Sequence, residues 1–199
     1  FEFNNIFSHV WTQERVFGAL EELIESSLDG YNVSLIAYGQ TGSGKTYTMR
    51  GGADDAAGII PRSMNYLFDC SLKLQDVYWK FTMKASFYEI YMDDVYDLLS
   101  NPPRAKLTVN MAAGRTDVVG KTEVVVSSMD EVAALLLQSD RHRSTAATAC
   151  NAHSSRSHAV FALDIQGKNA KTGETSSSVL NLVDLAGSER VKESKVEGD

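Results

Sequence analysis

Eight consecutive residues of this sequence have the types and the spacing that bind the phosphates of a nucleotide. They fit the pattern G-x-x-x-x-G-K-[ST] and are Gly39, Gln40, Thr41, Gly42, Ser43, Gly44, Lys45 and Thr46. In such a loop the glycines let backbone N–H groups face the phosphates, Lys45 reaches the β- and γ-phosphates, and the Thr46 hydroxyl binds Mg²⁺. The pattern predicts a nucleoside triphosphate site, against the alternative of a Gly/Ser-rich turn that contains a lysine by chance.

The segments on either side of this loop are those that a phosphate site requires. Residues 33–38 form an apolar run, which predicts a strand buried on both faces, as in parallel sheets. A helix is expected to begin near Gly44, and its first N–H groups and partial positive charge would point at the same anion. A strand, a Gly-rich loop and a helix in this order favour the nucleotide site over the chance turn.

Apolar periodicity along the rest of the chain predicts alternating strands and helices in one α/β domain. With the phosphate loop, this order favours the P-loop NTPase class, in which a mostly parallel central sheet is flanked by helices. Helices are expected from Thr12 to Leu28, from Pro61 onwards, and from a capping box formed by Ser128 and Glu131. Further strands are expected over residues 77–87, 107–109, 122–126, 158–165 and 179–184. A chain of 199 residues, 43% of them hydrophobic, is long enough to bury one sizeable core.

Composition excludes several classes of function. No apolar run approaches the ~18 residues of a membrane-spanning helix, and the net charge of −7 argues against broad nucleic-acid binding. Cys70 and Cys150 are far apart and lack metal-ligand spacing, which favours a reducing, intracellular setting.

Two more motifs narrow the kind of phosphate site. The apolar run Val179–Val183 ends in Asp184, and this arrangement presents a carboxylate where it can orient Mg²⁺ or its water shell. Gly187 follows shortly and can direct its amide at a γ-phosphate. The second motif is the polar cluster of residues 151–158, which precedes a predicted strand and has the sequence Asn-Ala-His-Ser-Ser-Arg-Ser-His. Each motif alone is common, but their combination with the phosphate loop points to a nucleotide-hydrolysing switch.

The three motifs together resemble those of the kinesin motor domain. The matching stretches are Tyr38 to Met49, Ser154 to His158 and Asp184 to Arg190. Supporting similarity extends over nearly the whole chain, through Thr12-Gln13-Glu14, Gly58 to Arg62, Phe87 to Tyr91 and Val95 to Leu99. Myosins have a related phosphate loop and a Ser-Ser-Arg loop, but they lack the Ser-His ending and the Gly-Ser-Glu stretch seen here.

The resemblance implies a role for each candidate site residue. Thr46 and Ser155 would hold Mg²⁺, with Asp184 in its outer shell, and Tyr47 would pack against adenine. The Gly187 amide would bind the γ-phosphate of ATP. Ser154 and Asn151 would position the phosphate and the attacking water, and an Arg156–Glu189 ion pair would close the site when ATP binds. Glu189 would also accept a proton through a water relay, since a carboxylate with an ordinary pKa is a weak base at neutral pH.

The resemblance also implies partners and extent. Residues 1–199 would form one partial motor domain that hydrolyses ATP to ADP and moves on microtubules in the cytoplasm. The first strand of the fold, the helices that bind tubulin, and the stalk that sets the oligomeric state would lie outside this portion. These residues alone are therefore expected to expose a sheet edge and to show little filament-stimulated turnover. The alternative is a non-motile nucleotide-binding or structural module without turnover.

Overall fold

A computed structural model describes residues 2–112, 115–147 and 156–189. The helices are α1 (Gln13–Gly18), α2 (Glu21–Glu25), α3 (Lys45–Met49), α4 (Ile59–Leu74) and α5 (Met129–Ala147). The strands are β1 (Val33–Ala37), β2 (Trp79–Tyr91), β3 (Asp94–Asp97), β4 (Lys106–Ala112), β5 (Arg115–Val119), β6 (Val124–Val125), β7 (His158–Asn169) and β8 (Thr175–Asp184). Among the described residues, no helix has the length and apolar character needed to cross a membrane.

One sheet organises the described residues, with the order β1-β8-β7-β2-β3-β4-β5 and with β6 paired to β2. This architecture confirms the predicted α/β class. The pairing of β1 with β8 is parallel, whereas the other six pairings of these strands are antiparallel. The expectation of a mostly parallel sheet is therefore wrong for the described strands. A short turn joins β7 to β8, and a tight connection of this kind forces neighbouring strands to run antiparallel.

The strand that precedes the phosphate loop, β1, lies at one edge of this sheet among the described strands. Its burial alternates: Val33 is buried, whereas Ser34 is exposed and Ile36 is 59% exposed. The expectation that both faces of this strand are buried is thus wrong among the described residues, because only one face is covered. The other face remains accessible beside the phosphate loop.

The long predicted helix at the N-terminus is two short helices. Thr12 caps α1 as expected, since its hydroxyl accepts a hydrogen bond from the Arg15 N–H at 3.3 Å. The chain then breaks at Ala19 and Leu20 before α2 begins. Of the predicted apolar positions, Ile24 and Leu28 reach the core, whereas Leu23 is 48% exposed. The predicted apolar face is therefore only partly correct, and Phe17, which the periodicity did not include, is buried as well.

Helix α5 begins at the predicted capping box. The Glu131 carboxylate accepts the Ser127 N–H at 2.7 Å, and the Ser128 hydroxyl accepts the Glu131 N–H at 3.3 Å. These two bonds satisfy donors that a helix start otherwise leaves open. The bonds also lower the pKa of the Glu131 carboxyl, chiefly through the donation from the Ser127 N–H.

A buried charge cluster fastens α5 to the middle of the sheet. Glu89 of β2 is fully buried, and its carboxylate contacts Arg143 Nε of α5 at 3.3 Å and Arg104 Nη2 at 3.0 Å. The guanidinium of Arg104 also lies over the Tyr96 ring, 4.6 Å from its centroid. Two arginines around one buried carboxylate offset the cost of removing these charges from water.

We expect Glu89→Gln to lower the free energy of unfolding by about 3–5 kcal/mol, because it removes the buried negative charge that balances two guanidiniums only 19% and 12% exposed. Urea unfolding measures this change. Glu123→Gln is the matched control, since Glu123 contacts lysines at 3.3 and 3.6 Å but is 36% exposed, and its loss should cost at most about 1 kcal/mol. Equal effects of the two substitutions would contradict a special role for the buried cluster.

Candidate functional site

The phosphate loop connects the end of β1 to the start of α3. Gly42 and Gly44 adopt φ values of +79° and +94°, a left-handed conformation that disfavours residues with a Cβ. Gly44 is the N-cap of α3 and offers no side-chain hydrogen bond to the first N–H groups of that helix. The predicted strand, loop and helix are therefore all present, and the backbone donors at the helix start are not used by a capping side chain.

The Lys45 ammonium is hydrogen-bonded to the backbone of its own loop. It donates hydrogen bonds to the carbonyl oxygens of Gly39 and Gln40, each at 2.9 Å. An ammonium has three N–H donors, so these two bonds leave one for a further acceptor. The lysine is thus held within the loop by its own backbone.

Thr46 and Asp184 meet at the edge where β1 and β8 end. The register pairs Ala37 with Asp184, and the Thr46 hydroxyl donates a 2.6 Å hydrogen bond to the Asp184 carboxylate. Asp184 is 7% exposed, so this carboxylate is presented from a buried strand end. A hydroxyl and a carboxylate side by side are hard oxygen donors of the kind that Mg²⁺ prefers.

The described residues contain no cluster of three or more His, Cys, Asp or Glu side chains that could hold a metal ion. Mg²⁺ usually takes one or two protein ligands and fills its remaining positions with water and substrate phosphates, so Thr46 and Asp184 fit that ion. The third predicted metal-site residue, Ser155, lies outside the described residues, as do Asn151 and Ser154.

The segment after Asp184 lies directly against the phosphate loop. The Ser188 N–H donates to the Gly39 carbonyl at 3.0 Å, and the Leu185 N–H donates to the Ala37 carbonyl at 3.3 Å. The Glu189 carboxylate accepts the Thr41 N–H at 2.9 Å and also the Thr41 hydroxyl. The Thr41 hydroxyl is the largest cause that holds the pKa of the Glu189 carboxyl below its ordinary value, with backbone N–H donors adding to the effect.

Gly187 lies against the contact between Glu189 and Thr41. A Cβ at this position would overlap both carboxylate oxygens of Glu189 and the Thr41 hydroxyl. A larger residue here would therefore displace the contact between Glu189 and Thr41, apart from any effect on the phosphate-binding role predicted for the Gly187 amide.

Arg156 and Glu189 are both exposed, and within residues 156–189 and the phosphate loop no ion pair joins them. Glu189 instead binds Thr41, a partner that the motifs did not reveal. The ion pair between Arg156 and Glu189 is expected only when ATP is bound, and it stays a prediction.

His158 connects the two motif segments. Its Nδ1 accepts the Ala186 N–H at 3.1 Å, and its neighbour Ser157 accepts a hydrogen bond from Arg143 Nη2 at 3.2 Å. From the sequence, His158 was equally compatible with simple packing at the start of a strand. Its place in the Ser-Ser-Arg-Ser-His motif was the available signal that it links the site.

Gln13 is a second residue whose position at the site was not predicted. Its side-chain amide is buried and donates to the Tyr47 carbonyl at 2.6 Å, across 34 residues of sequence. The Tyr47 ring is 57% exposed and is thus available to pack against a base. Gln13 fixes the backbone that carries this ring.

Comparison with known proteins gives consistent matches. A family model described as the kinesin motor domain matches residues 1–199. The chain is 43% identical to Kinesin-like protein 2 of Schizosaccharomyces pombe and 44% identical to Carboxy-terminal kinesin 2 of Xenopus laevis. Both alignments cover 100% of this chain, but only 25% and 32% of the respective relatives.

Among solved structures, that of a fast kinesin superposes with a TM-score of 0.91 at 38% sequence identity. The superposition covers 100% of this chain and 57% of that structure. The chain therefore spans a quarter to a third of the two curated relatives and somewhat more than half of this solved chain.

We expect Gly187→Ala to push Glu189 away from Thr41, because the added methyl group overlaps their contact. The Thr41 amide would then lose its acceptor and exchange its hydrogen with solvent faster, which hydrogen exchange at residue resolution measures. Gly18→Ala is the matched control, since a Cβ there meets no atom within 4 Å. Unchanged exchange at Thr41 in the Gly187 variant would contradict this account of the site.

Proposed function

The chain belongs to the kinesin motor domain family, and on that premise we propose that it is the nucleotide-binding core of a microtubule-dependent ATPase. The observation that carries this proposal is the hydrogen bond from Thr46 to Asp184, which joins the phosphate loop to a buried carboxylate across 138 residues. The substrate would be ATP with Mg²⁺, the products ADP and phosphate, and the partner polymerised tubulin in the cytoplasm. These activities belong to the whole protein.

We assign the residues around this bond to holding the nucleotide. Lys45 would offset the charge of the β- and γ-phosphates together with the backbone N–H groups of residues 39–44. Thr46 and Ser155 would hold Mg²⁺, and Asp184 would orient the water around it. Mg²⁺ would supply positive charge to the phosphate oxygens. Tyr47 would stack on adenine, supported by the bond from Gln13 to its carbonyl.

The remaining candidate residues would act in hydrolysis. Ser154 and Asn151 would position the attacking water, and the Gly187 amide would bind the γ-phosphate. Arg156 and Glu189 would pair only when ATP closes the site, so that Glu189 exchanges its contact with Thr41 for one with Arg156. Because the pKa of Glu189 is lowered in the present arrangement, it is a weak base there, and a proton would pass along water rather than directly to the carboxylate.

The direct test is ATP turnover by the full-length protein, measured with and without polymerised tubulin. We expect Mg²⁺-dependent hydrolysis that rises when filaments are added. A protein that binds ATP but turns it over at no measurable rate under both conditions would instead be a nucleotide-binding module without enzymatic activity.

We expect Lys45→Ala to weaken nucleotide binding by about 100-fold, since a hydrogen bond to a charged group contributes up to about 3 kcal/mol. Equilibrium binding of a fluorescent ADP derivative measures this loss. Lys80→Ala serves as the control, because Lys80 is an exposed lysine on β2, away from the phosphate loop. If Lys45→Ala bound nucleotide like the wild type, the assignment of the phosphate site would be wrong.

We expect Arg156→Ala and Glu189→Ala each to reduce the hydrolysis rate by about 100-fold or more while leaving ATP binding largely intact. The reason is that their pairing is proposed only for the closed state. Residues that act as one unit have non-additive effects, so the double variant should be little slower than either single one. Single-turnover hydrolysis measures all three, and multiplicative losses would show that the two residues work independently.

A further inference from the structure

Arg50 directly follows the last residue of the phosphate-loop helix α3, and its side chain leaves that helix to contact another one. Its Nη1 forms an ion pair with Asp140 of α5, and its Nη2 donates to the Ser139 hydroxyl at 3.0 Å. The guanidinium also lies over the Phe87 ring, 4.9 Å from its centroid. The side chain of Arg50 is only 12% exposed, whereas that of Asp140 is 56% exposed, so the ion pair lies at the surface end of a largely buried arginine.

The backbone of Arg50 is held as firmly as its side chain. Its N–H donates to the Thr46 carbonyl at 2.8 Å, and its carbonyl accepts the Gly58 N–H at 3.0 Å. A Cβ at Gly58 would overlap the carbonyl carbon of Arg50, so the two segments approach as closely as backbone allows. Any movement of the phosphate-loop helix would therefore move the Arg50 guanidinium with it.

Arg143 lies about one turn further along α5 and makes two more polar contacts. That residue contacts the buried Glu89 at 3.3 Å and donates to Ser157 at 3.2 Å. Ser157 lies between Arg156, the proposed partner of Glu189, and His158, which holds the Ala186 amide. A chain of direct contacts thus runs from α3 through α5 to residues 156–158 and on to the loop that carries Gly187.

Arg50 stays charged in this setting although its surroundings lower its pKa. Burial is the main cause that lowers the pKa of Arg50, to about 10, and the neighbouring Arg143 guanidinium lowers it further while Asp184 raises it. Arg50 remains protonated at neutral pH. The guanidiniums of Arg50 and Arg143 repel each other. Each has its own counter-charge, since Asp140 pairs with Arg50 and Glu89 pairs with Arg143.

We propose that Arg50 is a positioning residue, which through its ion pair with Asp140 fixes α5 against the phosphate-loop helix and thereby sets residues 156–158 for hydrolysis. The alternative is a purely structural pair that stabilises the domain without affecting turnover. Isolated surface pairs contribute little to stability, so a purely structural pair here would have a small effect. The proposed coupling rests on the ATPase function proposed above, but it concerns contacts that do not themselves touch the nucleotide.

Asp140→Asn in the full-length protein is the sharpest test, because the Asp140 side chain is 56% exposed and its loss should not prevent folding. We expect kcat to fall about two- to thirtyfold, the range of coupling through packed networks, while the dissociation constant for ADP is unchanged. Arg50→Gln should lower kcat by a similar factor, and the double variant should be no slower than either single variant. Arg50→Lys, which keeps the charge, should recover part of the lost rate.

The matched control is Asp94→Asn, which removes the carboxylate from the ion pair between Asp94 and Lys106 at 2.7 Å, on β3 and β4. This variant should keep the wild-type kcat. Wild-type turnover by Asp140→Asn, independent losses in the double variant, or an Arg50→Lys variant no faster than Arg50→Gln would each overturn the coupling. A parallel loss of ADP affinity and thermal stability in Asp140→Asn would do the same and would favour the structural role. A wild-type protein without ATPase activity would instead refute the proposed function.

Discussion

The parallel pairing of β1 with β8 is the constraint on which the candidate site depends. Parallel strands end at the same edge of a sheet, so this pairing brings the loop after Ala37 and the carboxylate of Asp184 together. The 2.6 Å bond between Thr46 and Asp184 follows from that register. A shift by one residue would turn Asp184 to the opposite face and separate the two halves of the site.

Glu189 connects the same two segments in a way that can change. Its carboxylate accepts two hydrogen bonds from Thr41. Because the side chain is exposed, packing does not hold it in this position. An exposed contact of this kind is inexpensive to exchange for another. In the proposed closing of the site, Arg156 would compete with Thr41 for this carboxylate, and the contact with Thr41 would be the starting state.

Local patterns predicted the parts of the structure that depend on neighbours in sequence. The phosphate loop, the Thr12 cap, the Ser128–Glu131 box and the strand that ends at Asp184 all follow from residue types a few positions apart. The direction of most strands could not be predicted from these local patterns. The phosphate-loop motif implies one parallel pair, that of β1 with β8, but it does not determine how the other strands of the sheet pair. Contacts such as Glu189 with Thr41 or Arg50 with Ser139 join residues 148 and 89 positions apart, and only three-dimensional packing determines them.

Strands β7 and β8 form one antiparallel hairpin whose open end carries both motif segments, since Ala159 pairs with Asp184. Its closed end is a tight turn in which the Asn169 side chain accepts the N–H groups of Lys171 and Thr172, and a Cβ at Gly173 would meet no atom within 4 Å. Surface turns of this kind accept insertions far better than strand interiors. A fluorescent peptide tag inserted in this turn would therefore leave the site intact and report on the orientation of the hairpin that carries both motif segments.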